Sequence, residues 1–328
     1  ENLAPVVRPL RKDDTGSVWR GILTGDGLEM IVGHVDGNLG KYEIDEKIYP
    51  PKFKRIEKLD AQIIILAASH SGKTIAALSS NNTLLFKTKA QHMYLSNSDF
   101  QDQKLTALLA YENPDSAILG FSNGRVAHLS SESGLVYLHG FRPPAGITSI
   151  GRLDNNQKLI LGDADGNIHF LDHDGSDHVV RKAAYSKISH IEVLGDGLSA
   201  YAVSQEGDLF RIDVHQLKVS SNLLDTKPSP PIEGLTIVED NGWLIMGGAG
   251  DFVVFDIEAK RVVRVARGII GTQGIFGFSS EQQQLYVHSE DRGVGLIDFN
   301  RKAPTIPNGF VKLVDGDLIF YQEEKSSE

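Results

Sequence analysis

A tight polar turn between two short apolar segments recurs seven times along this chain. Its second residues are Gly37, Asn82, Gly124, Gly166, Gly207, Gly250 and Arg292, spaced 41 to 45 residues apart. A period near 42 built from strand-like segments predicts a β-propeller, in which each repeat is one four-stranded blade. A closed ring of such repeats places all 328 residues in one domain with a continuous core.

The plainest repeat runs from Ile147 to about Ala184. ITSIGRL, KLILGDA and IHFLD read as successive strands, and HVVRKAA as the fourth. Each is rich in aliphatic or aromatic residues and bounded by Asn, Asp and Gly, which supply the positive φ and local hydrogen bonds of tight hairpins. Repeating this template predicts blades over about 16–58, 59–103, 104–145, 146–185, 186–229, 230–268 and 269–302. The expected fold is therefore all-β, a single propeller over 1–328 with seven four-stranded blades. A further hairpin at 309–322 leaves a second closure open, with eight blades and the last shared by the two termini. In the seven-bladed form, residues from about Pro5 to Arg11 supply the outer strand of the last blade.

The repeats resemble those of the WD-repeat propeller family. That family ends its third strand in Trp-Asp. The dipeptides at this place are Tyr42-Glu43, Lys87-Thr88, Leu129-Ser130, Leu171-Asp172, Ile212-Asp213, Phe255-Asp256 and Ile297-Asp298. Five keep the acidic second member and none keeps the tryptophan, so the pattern is degenerate. The segment from Ser69 to Thr88 is the most similar to a family repeat. The resemblance implies a binding scaffold and brings no catalytic residues with it. Quinone-type propellers share turns such as GDADGNIHFLD, and fold alone does not choose between them.

Composition narrows the function further. The chain has no cysteine, which removes disulfides, thiolate metal sites and cysteine nucleophiles. A formal charge of −10 opposes general binding to nucleic acid or anionic membranes, where a positive field supplies most of the affinity. The longest apolar stretch, LDAQIIILAA at 59–68, falls well short of the roughly 20 residues of a membrane span. These features lean toward a cytoplasmic protein, with a signal segment removed in processing left open because the chain begins at Glu1.

Several segments invite chemistry and read more simply as structure. His70-Ser71-Gly72-Lys73-Thr74 lacks the first glycine of a phosphate loop and precedes a strand, which makes it a hairpin turn. Asp172, Asp174 and Asp177 alternate around Gly175 as a calcium loop does, without the distal glutamate. His169, His173 and His178 are scattered by strand alternation and turns. Lys47, Lys52, Lys54, Arg55 and Lys58, like Lys260, Arg261, Arg264 and Arg267, fall on outer strands, where charge blocks edge-to-edge pairing.

No catalytic constellation, metal site or cofactor site is expected. The leading reading is a non-enzymatic scaffold that docks a protein or peptide on its loop-rich face. Trp19, Phe141, Arg142 and Asp165 are the expected partner-binding residues. Phe141 and Arg142 lie in the proline-stiffened segment Phe141-Arg142-Pro143-Pro144, and Trp19 opens the first inner strand. The alternative is a propeller enzyme, either a metal-dependent lactonase or hydrolase or a quinone-dependent dehydrogenase, in which Asp163 and Asp165 hold the ion.

Overall fold

The computed structural model describes residues 18–24, 27, 29–44, 53–112, 115–153, 158–172, 174–176, 178–248, 250–266, 272–280, 283–289, 293–299, 309–314 and 317–322. Six antiparallel sheets have four strands each. The first is β1 (Val18–Leu23), β2 (Glu29–His34), β3 (Asn38–Glu43) and β4 (Phe53–Lys58), and the second β5 (Ile63–Ala68), β6 (Ile75–Ser79), β7 (Leu84–Lys87) and β8 (His92–Leu95). The third is β9 (Leu105–Glu112), β10 (Asp115–Phe121), β11 (Val126–Ser130) and β12 (Gly134–Tyr137). The fourth is β13 (Ile147–Leu153), β14 (Lys158–Asp163), β15 (Asn167–Leu171) and β16 (His178–Lys182). The fifth is β17 (Ile188–Val193), β18 (Ser199–Ser204), β19 (Leu209–Asp213) and β20 (Lys218–Val219), and the sixth β21 (Gly234–Val238), β22 (Trp243–Gly248), β23 (Asp251–Asp256) and β24 (Arg261–Ala266).

The expectation of seven or eight four-stranded blades is corrected by this topology, which has six. The seventh repeat forms a sheet of three strands, β25 (Thr272–Ser279), β26 (Gln284–Ser289) and β27 (Gly293–Asp298). It stands between the sixth blade and the first, with β25 against both β21 and β1. The last hairpin, β28 (Gly309–Val314) and β29 (Asp317–Gln322), is a two-stranded sheet that pairs with no other strand among the described residues. The turn period recurs without guaranteeing an outer strand, and the segment after β27, RKAPTIPN, carries two prolines that cannot donate to a ladder. The N-terminal segment from Pro5 to Arg11 lies outside the described residues.

Burial falls from the middle of each blade outward. The second strands β6 (IAALS) and β18 (SAYAVS) are buried at every residue, which demands small or apolar side chains on both faces. The fourth strands β4 (FKRIEK) and β16 (HVVRK) are half-buried or exposed throughout, and charge is tolerated there. Consequently the core is divided. A separate apolar cluster fills each junction between neighbouring sheets, for instance Leu78, Phe86, Phe100, Phe121 and Leu129 between the second and third blades. Another joins Met30, Tyr42, Phe276 and Tyr286 across the closing junction.

The first strands of the six blades and of the three-stranded sheet follow one another in a closed circuit. Their approach is set by glycines. A methyl group added at Gly33 would lie 2.6 Å from Ile63 Cγ2 of the next blade, and one at Gly120 would lie 2.6 Å from Ile147 Cγ2. Gly162 meets Ile188 in the same way. Each isoleucine opens an inner strand and fills a space that only the missing side chain of its neighbour provides. Overpacking of this kind costs about 1 to 3 kcal/mol. Gly120→Ala is therefore expected to lower unfolding free energy by about that amount in urea titrations. Its cost should shrink in an Ile147→Ala background, because the two residues share one contact.

Candidate functional site

The turns between second and third strands lie on the same rim as the loops that carry each outer strand into the next blade. Backbone hydrogen bonds tie the two together around the ring. Leu59 N donates to Gly37 O at 2.9 Å, Ser80 N to Gln62 O at 2.8 Å, and Ser122 N to Lys104 O at 2.9 Å. Ala164 N to Gly146 O and Gln205 N to Lys187 O repeat the bond at 2.9 Å. In the third and fourth blades the turn requires glycine for two reasons. Gly124 has φ 82° and Gly166 has φ 83°, the left-handed region that side chains disfavour. A Cβ at Gly124 would also lie 2.1 Å from Pro143 O, and one at Gly166 2.3 Å from Ala184 O.

The fourth blade shows how such a turn is fixed. Asp163 is fully buried, and its Oδ1 accepts from Asp165 N at 2.9 Å and Asn167 N at 2.8 Å. Its Oδ2 accepts from Asn167 Nδ2 and His169 Nε2, both at 2.8 Å. Burial alone would raise the Asp163 carboxyl, but the hydrogen bonds from His169 and Asn167 outweigh it and hold the group below the ordinary carboxylate range. Both oxygens are occupied by protein donors. Asp163 therefore acts as a brace for the turn, and it has little left to offer an ion.

From the braced turn the adjoining loop is held at several points. Ala183 N and Ala184 N both donate to Gly166 O at 3.0 Å, and Lys182 Nζ donates to the carbonyl of Asp165. Tyr185, the next residue, is fully exposed at 101%. The Lys182 ammonium lies 5.8 Å from its ring centroid. Sequence reasoning missed Tyr185, since one aromatic in AAYSK carries no periodic signal. The only clue was its place in a loop between blades.

The four expected partner-binding residues have different surroundings. Arg142 and Asp165 are exposed on this rim. Phe141 is not: at 3% exposure it wedges edge-on against His169 and His178, with centroids 5.4 and 5.6 Å away. The reading of Phe141 as an exposed anchor is corrected, because a loop stiffened by proline at 143 and 144 turns this ring into the junction between blades. Trp19 is half-buried, 5.4 Å from His288 in an edge arrangement. Trp243, at the start of β22, packs on Phe299 beneath Arg264 and belongs to the opposite rim.

Trp19 also occupies a special backbone position. The pairing of β1 with β2 slips between Val18 and Arg20, so Trp19 is an extra, bulged residue. The same slip recurs at Ile64, Thr106, Thr148, Ser189 and Gly274. The hydroxyl of Thr106 bonds Ile147 O at 2.6 Å and that of Thr148 bonds Ile188 O at 2.7 Å, linking each bulge to the next inner strand. Arg20 does this with its guanidinium, Nε donating to Ile64 O at 2.9 Å. Bulges re-aim side chains at the rims of rings. Here they form the mouth of the central channel.

Immediately inside the bulges, the residues on successive inner strands are Arg20, Ile65, Ala107, Ser149, His190 and Ile275. Arg20 and His190 are the charged or titratable members, and both are half-buried. Two residues deeper, Glu192 shares its level with Ile22, Ala67, Leu109 and Gly151. Depth within the ring, rather than complete loss of solvent, disfavours charge on these groups. Burial and the charges of Lys187 and Arg20 pull His190 down to about 4. Burial alone pushes Glu192 up to about 7.

The segments that resemble a calcium loop and a phosphate loop in the sequence form turns in the structure. Asp174 Oδ1 accepts from Ser176 N and Oγ, a local turn, while His173 and Asp177 lie outside the described residues. Among the described residues no cluster of three His, Asp or Glu side chains is arranged to hold a metal ion. His70 to Thr74 forms the turn between β5 and β6, with Thr74 Oγ1 donating to Asp115 at 2.7 Å. Among the described residues no helix is long and apolar enough to cross a membrane.

The channel pair predicts opposing pH effects. Glu192 holds its proton in the folded state up to about 7, so its contribution to stability falls as pH rises from about 4.5 through 7. His190 refuses its proton down to about 4, so its contribution falls as pH drops from about 6.5 through 4. Glu192→Gln should stabilise the protein at pH 8 by up to about 3 kcal/mol and have little effect at pH 4. His190→Gln should stabilise at pH 4 and be nearly neutral at pH 8. Urea titrations across this range give both differences directly.

No protein-family model and no curated protein matches the chain. Among solved structures it is similar to the β-propeller domain of Cps50 (Swd1) from Myceliophteria thermophila, with a TM-score of 0.70 and 10% identity over 89% of this chain and 98% of that one. At that identity the likeness is one of fold, and it places this chain among the β-propellers.

Proposed function

We propose that this protein is a non-enzymatic interaction module that docks a protein or peptide segment on its loop face. The observation that carries the reading is Tyr185, a fully exposed aromatic on a loop clamped by backbone hydrogen bonds. Arg142 and Asp165 are exposed on the same rim, and Trp19 lies at the channel mouth. An aromatic held out on a rigid support loses little entropy when a partner covers it. Tyr and Arg are the residue types that most often dominate interfaces. The degenerate WD-like repeats and the fold shared with the Cps50 (Swd1) propeller domain support a scaffold reading, as does Asp163, whose oxygens serve the turn.

Tyr185→Ala combined with Arg142→Ala is expected to leave the circular dichroism spectrum unchanged and to weaken capture of native partners by about 1 to 3 kcal/mol. Phe141→Ala should behave differently, lowering the melting temperature through loss of a buried ring worth about 3 to 5 kcal/mol. Capture from native extract, compared between wild type and the double variant, tests the proposal. Unchanged capture by the double variant, with loss on charge reversal at the exposed Lys54 and Arg55 of β4, would move the interface to the outer blade edge.

A further inference from the structure

We infer that the partner segment is acidic, with one carboxylate seated at the channel mouth against Arg20 and Lys187 and beside His190. This rests on the loop-face reading above and names the chemistry that face selects. Arg20 and His190 occupy equivalent places just inside the bulges of β1 and β17. Lys187, exposed, stands three residues ahead of His190 on the loop that carries Tyr185. The three groups are close enough that the charges of Arg20 and Lys187 both act on the imidazole. Arg20 is oriented in advance, since Nε is committed to the Ile64 carbonyl and Nη1 to that of Trp19. Its Nη2 has no hydrogen-bond partner among the described residues, which suits a carboxylate oxygen.

The cation cluster stands out against the −10 charge of the whole chain, and one acid acts on it. Glu233, exposed ahead of β21, is the acid whose charge acts on Arg20. Glu192 lies deeper, and its carboxyl is pushed toward the neutral form at pH 7 and below. The inner strands β5, β13, β21 and β25 offer no acidic side chain toward this level, and Arg152 of β13 is stacked 3.6 Å over Tyr111. Toward the rim, the Lys182 ammonium lies beside Tyr185 and bonds the carbonyl of Asp165, and Arg142 is exposed on the loop that enters the fourth blade. An acid arriving at His190 opposes the repulsion from Lys187 and Arg20 and draws a proton onto the ring. Binding should therefore tighten as pH falls, while the ligand carboxylates stay ionised.

Fluorescence anisotropy with a rhodamine-labelled hexaglutamate peptide tests this, using hexalysine and a ten-residue thymidine oligonucleotide as comparisons. Saturable hexaglutamate binding is expected, tightening at least threefold between pH 7.5 and 5.5 and weakening as salt is raised. Lys187→Glu, at an exposed position, should weaken it tenfold or more. Arg20→Gln should do the same where its melting temperature shows a folded ring. Equal or stronger binding of hexalysine, tighter binding of the oligonucleotide, or indifference of hexaglutamate to Lys187→Glu would overturn the inference. If hexaglutamate fails while Tyr185→Ala with Arg142→Ala still loses native partners, the acidic assignment falls and the loop-face reading stands. Unchanged native capture by that double variant removes the loop-face reading itself.

Discussion

The ring depends on the space that glycine leaves for isoleucine where neighbouring blades converge. Gly33, Gly120 and Gly162 each receive the residue that opens the next inner strand. Since sheets touch only their neighbours, this contact sets how tightly successive blades can be wedged. Outside it the apolar clusters widen into aromatic pairs such as Phe100 with Phe121, matching a wedge that is narrow at the axis and thick at the rim. Side-chain size is thus graded along each blade, which keeps the junction close-packed from axis to rim.

The same convergence creates the channel and its unusual chemistry. Inner strands have one backbone edge without a neighbour in their own sheet. Six of them begin with a bulge, whose hydroxyl or guanidinium in three cases reaches the next strand's carbonyl. That link joins the first blade to the second, the third to the fourth and the fourth to the fifth. Polar groups just inside it are surrounded by aliphatic neighbours. A histidine and a glutamate there depart from their ordinary ionisation in opposite senses, the first held neutral by burial and then by the nearby cations, the second by burial.

Much of the fold was legible because its signals are local. Hairpin turns need Asn, Asp or Gly at fixed places, and each such pair marked a turn between a second and third strand. What escaped was whatever depends on a partner from elsewhere in the chain. The seventh repeat has its turn period and three strands, yet a fourth strand is a matter of pairing that RKAPTIPN does not announce. Phe141 in a proline-rich loop looked like an exposed anchor, and only the approach of His169 and His178 reveals it as a wedge. Tyr185 carried no signal beyond its position. Arg20 and His190 share an environment although 170 positions separate them in sequence, a relation that ring closure alone creates.

The turns and loops of this rim are held chiefly through main-chain atoms. Leu59 to Gly37, Ala164 to Gly146 and Gln205 to Lys187 are all amide-to-carbonyl bonds, and they survive any substitution that respects the turn glycine. The outward side chains at 142, 165 and 185 are consequently decoupled from the architecture beneath them. Those residues can be exchanged without a compensating change in the scaffold. Divergence on this rim can therefore be rapid while the blade interiors remain under the stricter discipline of volume.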